Sequence, residues 1–139
     1  MRNSIPVSEF PNITSQNYKQ TSPKAYDYNC IAWAYGRNDV WFQPGLFWPI
    51  SQRDCTVPTY MKLFESIGYV RCDDALFESG FLKIALYIKG ENTTHAARQL
   101  STGKWTSKLG GDIDIEHDTP EVLNGPLYGE ASIFMKKPA

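Results

Sequence analysis

Apolar positions along the chain change their spacing near residue 69. Before it, the run Asp27-Tyr28-Asn29-Cys30-Ile31-Ala32-Trp33-Ala34-Tyr35-Gly36 is apolar on every side of a helical turn, which predicts a buried helix. Asp27 or Asn29 can cap its start, and Gly36 suits a left-handed stop. Residues 37–52 follow with Trp41, Phe42, Pro44, Gly45, Phe47, Trp48 and Pro49, too much proline and glycine for regular structure. In 56–68, Tyr60, Leu63, Phe64 and Ile67 recur at the spacing of one helix face, with Gly68 as the stop. From Tyr69 the period becomes two, predicting strands at 69–72, 82–88, 94–100, 104–109, 113–116 and 128–136. The 89–92 and 101–103 connections read as hairpin turns, and Thr119-Pro120-Glu121-Val122-Leu123 as a capped helical turn ending near Gly125. Helices first and an antiparallel meander second make an α+β pattern, with five or six strands expected.

Length fits this picture to one domain: 139 residues supply one sizeable core. Residues 1–24 are polar, carry Pro6, Pro11 and Pro23, and read as an extended lead-in to a single domain at 25–139. Fourteen basic and 15 acidic residues leave a formal charge of −1, without the electrostatic footprint of a nucleic-acid or anionic-membrane binder. No apolar run approaches the roughly 20 residues of a membrane helix. The start, Met1-Arg2-Asn3-Ser4-Ile5-Pro6, has no apolar stretch of the secretory kind, so the expected location is cytoplasmic, or outside by a route that reads no N-terminal signal.

Cys30, Cys55 and Cys72 are an odd number with no CxxC pair, which argues against a disulfide scaffold or a closed zinc site. A zinc set of Cys55, Cys72, His95 and His117 matches no ligand spacing, and no cofactor or metal is expected. Cys30 is the first candidate for chemistry, because free N–H groups and the dipole at a helix start stabilise a thiolate. A general base must then be His95 or His117. Alternation puts His95, Ala97 and Gln99 on one strand face, and the small Ala97 would let a helix lie close. The orienting third group is expected to be Asp114, with His117 and then Glu116 as alternatives from the 112–117 segment. The Cys30 N–H would serve an oxyanion hole, helped by Tyr28 or Asn29. The rings of Trp41, Phe42, Phe47 and Trp48, and that of Trp105, either pack on the core or wall a substrate cleft.

A cysteine opening a buried helix, followed by a meander with a histidine strand, resembles the compact papain-like fold of NlpC-type cysteine hydrolases. The stretches YNCIAWAYG, KIALYI, THAARQL, GKWTSKLG and DIEH are similar to a mostly bacterial family of small papain-like proteins of unassigned activity. This resemblance spans about residues 27–130. It implies Cys30 as nucleophile and His95 as base, completed by Asp114 or His117. In NlpC-type enzymes the third member falls near Ser107 or Lys108 of this chain, a departure, since neither side chain suits an orienting role.

The expectation is therefore an α+β, papain-like domain whose Cys30 helix packs on a C-terminal antiparallel sheet. It would cleave an amide bond by thiolate attack, with a peptide or protein as substrate and peptidoglycan-type peptides as one class. Two alternatives stand beside it. A toxin-type glutamine deamidase or acyl transferase would use the same dyad and bring a cognate inhibitor or immunity protein. A non-catalytic binding module would hold Cys30 buried and out of reach of His95.

Overall fold

The computed structural model describes residues 8–23, 27–43, 48–52, 54–109 and 113–139. Seven strands are described: β1 Tyr18–Gln20, β2 Val70–Cys72, β3 Phe81–Lys89, β4 Asn92–Gln99, β5 Trp105–Lys108, β6 Asp114–His117 and β7 Glu130–Pro138. They form one antiparallel sheet in the order β1-β6-β5-β4-β3-β7-β2. The helices are short, with six residues in α1 (Cys30–Tyr35) and nine in α2 (Val57–Glu65), plus a 3-10 turn at Pro120–Leu123.

The α+β, papain-like expectation is thus corrected to a mainly-β fold. The physical reason is the small share of the chain that can be helical. α1 stops at Gly36, whose φ of 107° is left-handed, and α2 stops before Gly68, at φ 101°. The sheet is also larger than the period-two run suggested. β1 lies in the lead-in, where three residues are too few to show an alternation, and pairs Tyr18–Gln20 with His117–Ile115 of β6.

Each sheet face has its own core. Ile84, Leu86, Ala96, Ile133 and Met135 face one side, where α1, α2, Phe42 and Trp48 cover them. Ala85, Tyr87, Ala97, Trp105 and Ile115 face the other, covered by Phe10, Ile13, Val122, Leu123 and Tyr128. One face is therefore roofed by helices and the other by irregular segments. Phe47 of the aromatic loop and Asp112 of the candidate acidic segment lie outside the described residues, as do Pro44, Gly45 and the first seven residues. Among the described residues, no helix is long and apolar enough to cross a membrane.

Candidate functional site

Asn29 fixes the start of α1. Its side-chain oxygen accepts the N–H of Ala32 at 3.1 Å and that of Phe42 at 3.1 Å, while its amide donates to the Phe42 carbonyl at 2.9 Å. One side chain thus caps the helix and pins the following loop. These bonds engage its carbonyl oxygen twice and its amide once, which turns a supposed oxyanion donor into a structural clamp. Asn29→Ala is expected to lower stability by about 2 kcal/mol, measured as a fall in the urea midpoint without a change in slope.

Cys30 follows at the first helical position and is buried. Burial pushes its thiol up to about 11, against the opposing pull of the backbone N–H groups of Ala96, Ile31 and Cys30 and the positive charge of Lys108. Desolvation wins, so at neutral pH the sulfur is a thiol. The helix lies against the Ala96 face of β4, and Trp33 reaches past it to donate its Nε1–H to Thr106 Oγ1 at 3.0 Å. Arg98 sits over the Trp33 ring at 5.1 Å.

Asp114 is on this same helix-side face. Its Oδ2 accepts the Tyr28 hydroxyl at 2.7 Å, and Lys108 Nζ lies 4.9 Å over the Tyr28 ring. Burial first, then the Asp114 carboxylate, pushes Tyr28 up to about 12, so Tyr28 is a donor and Asp114 its acceptor. Trp48 packs in the same core as Cys30, 5.1 Å from the Tyr60 ring. Glu116 shares this strand face but sits farther out, where it lines a polar hollow with Lys19, Lys104 and Asp118.

His95 is on the other side. One residue before Ala96, it points into the opposite core, stacked on Tyr128 at 4.1 Å and edge-on to Tyr87 at 5.0 Å. Trp105 and His117 belong to that face as well. The sheet itself therefore separates Cys30 from His95, and the proposed nucleophile and base do not meet. Asp114 and Glu116 do not meet His95 either, for the same reason of strand parity. Ala97 is small, but so is Ala96, and the helix takes the Ala96 face.

What His95 does meet is Ser107. His95 Nε2 lies 3.0 Å from Ser107 Oγ, and Ser107 Oγ lies 2.8 Å from His117 Nε2. His117 Nδ1 is 2.8 Å from the Thr119 carbonyl, so that nitrogen must carry the proton. Its Nε2 then accepts from Ser107, and Ser107 accepts from His95 Nε2–H, which assigns every proton in the chain from the network. His95 Nδ1 is left as a buried acceptor with no partner. Burial pushes His95 well below its ordinary value and His117 down to about 4, so both rings are neutral at physiological pH. Ser107 sits at the place where the resemblance put a third member, the one signal in the sequence that could have found it. All three side chains are fully buried, out of a substrate's reach.

Residues 19–136 match the family described as a domain of unknown function, DUF7689. The chain belongs to the DUF7689 family. Neither a curated protein nor a solved structure matches it. In this DUF7689 member, the family match runs from the second residue of β1 through most of β7, so both polar clusters fall inside it. Nothing in the match ties DUF7689 to papain-like or NlpC-type proteins.

Proposed function

We propose that this domain is a non-catalytic binding module for a peptide or protein partner. The observation that carries the proposal is the separation of Cys30 and His95 by the thickness of the sheet, with the thiol in a buried core. A hydrolase of the expected type needs both groups within hydrogen-bond reach of one another.

A cleft at one end of the sheet supports the binding side of the reading. It encloses about 160 Å³ between Phe77, Phe81, Leu82 and Leu100, with Phe77 52% exposed. That volume is below the roughly 300 Å³ at which small-molecule sites begin, and it fits one or two apolar side chains of a partner chain.

Alkylation by iodoacetamide tests the proposal in a Cys55→Ser, Cys72→Ser background, since Cys55 is exposed and Cys72 half-buried. The expected result is slow labelling of Cys30, with no effect of His95→Ala on the pH profile. A midpoint well below about 8.5 that rises on His95→Ala would restore the thiol hydrolase. That second reading draws on the three backbone N–H groups and the Lys108 cation around the sulfur.

A further inference from the structure

We infer that the His95–Ser107–His117 chain is an acid-triggered latch on the 119–123 segment, a property independent of the binding role proposed above. Side chains of the sheet and of the lead-in hold the carbonyls of this segment. His117 Nδ1–H holds the Thr119 carbonyl, the Tyr87 hydroxyl holds the Pro120 carbonyl, and Asn12 holds the Glu121 carbonyl at 3.0 Å. Its own Val122 and Leu123 close the core on this face.

Adding a proton to His117 reverses the chain. His117 Nε2–H would then donate to Ser107, whose hydroxyl hydrogen must either lose its acceptor, with the oxygen accepting from both rings, or turn toward His95 Nε2. The turn would put the His95 proton on Nδ1, a ring atom with no partner, so on either course one buried donor is left unpaired. The result is a buried cation and an orphaned donor in place of a neutral network whose donors are all used, and both changes disfavour the closed state.

The groups facing the chain offer the cation little compensation. His117 itself meets Ser107 of β5, with Trp105 of β5 opposite it in register, and His95 of β4 lies one hydrogen bond further, between the Tyr87 ring of β3 and the Tyr128 ring of the turn before β7. Tyr18 of β1 sits opposite it in register. The nearby carboxylates are Glu121, whose charge reaches Tyr87, and Asp118, which is engaged by Lys104 at 3.3 Å. The Asp118 charge acts on His117 but is outweighed by burial. Opening the segment brings water to His117 and relieves the cation.

Amide hydrogen exchange on the full chain, corrected for intrinsic rates, tests this at about pH 7 and pH 4.5. The reporters are Val122, Asn124 and Ala131, whose amides bond within or onto the segment. Their protection is expected to fall roughly 50-fold, while amides of β3, β4 and β7 away from it stay protected. His117→Gln is expected to abolish the change. Should that variant not fold, ring-nitrogen NMR of the wild type takes its place, with His117 gaining its second proton over the interval in which the segment opens. Simultaneous loss of protection across the sheet, a segment indifferent to acid, an unaltered response in His117→Gln, or a His117 ring still neutral at opening would each overturn the latch.

Discussion

Between about pH 7 and about pH 4 the free energy of unfolding is expected to fall by about 3 kcal/mol through His117 alone. Burial holds this imidazole near 4 in the folded chain, against about 6.5 when unfolded. The unfolded state therefore binds more protons throughout that interval, and stability rises with pH across it. The contribution is complete above the unfolded value and is lost as pH falls toward the folded one. His95 acts in the same direction, because its ring is more deeply buried and also lowered. Exposed carboxylates such as Asp39, Asp54 and Asp74, lowered by their hydrogen-bonded partners, lose stabilisation only at more acidic pH. Urea titrations across the range separate the two effects. His117→Gln should be less stable at neutral pH and flatter in the upper half of the range, with the carboxylate slope intact. A wild-type stability independent of pH down to about 4.5 would contradict the assigned neutral, buried imidazoles.

Gly129→Ala is expected to cost about 3 kcal/mol or more. Gly125 and Gly129 exchange both backbone hydrogen bonds, at 2.9 and 2.8 Å, and so close the turn that starts β7. Gly129 has φ 77°, a left-handed conformation that L side chains resist. A methyl group there would stand 2.1 Å from the Ile88 carbonyl oxygen and 2.8 Å from its carbon. Those atoms are main chain of β3, so the neighbour cannot turn aside as a flexible side chain would. Either β7 shifts off β3 or the turn breaks. Gly36→Ala is the matched control, since Gly36 is equally left-handed at φ 107° but has nothing within 4 Å of the added carbon. Strain alone there should cost about 1 kcal/mol. Urea midpoints for the two variants measure the difference, and equal losses would show that the contact at Ile88 relaxes freely.

How far the sequence can be read follows from the range of each signal. The turn of apolar residues after Asn29, the Gly36 stop and the alternation of β3, β4 and β7 are local, and each element forms where its pattern lies. Fold class depends on how many elements of each kind the chain can complete. β1 carries no alternation long enough to see, and two short helices cannot make the helical layer of an α+β domain. The site fails at a different step. Period two assigns His95 and Ala97 to one face and Ala96 to the other, but it does not say which face the Cys30 helix will cover. That choice is made by distant side chains, through Trp33 on Thr106 and Tyr28 on Asp114. Ser107 does not stand out in the sequence because a serine is a poor orienting group for a catalytic imidazole. It is a good bridge between two neutral ones.

The contact between Tyr28 and Asp114 joins residues 86 positions apart, and β1 must likewise wait for β6. By contrast β3, β4 and β5 each pair with their successor in the chain. Closing short loops costs less entropy than closing long ones, so this meander is the natural place for folding to begin. During synthesis, the segment bearing Cys30 emerges from the ribosome long before its landing surface exists. The thiol that ends in a buried core therefore spends that interval in water, and the emergence of β3, β4 and β7, rather than of α1 itself, sets when it is put away.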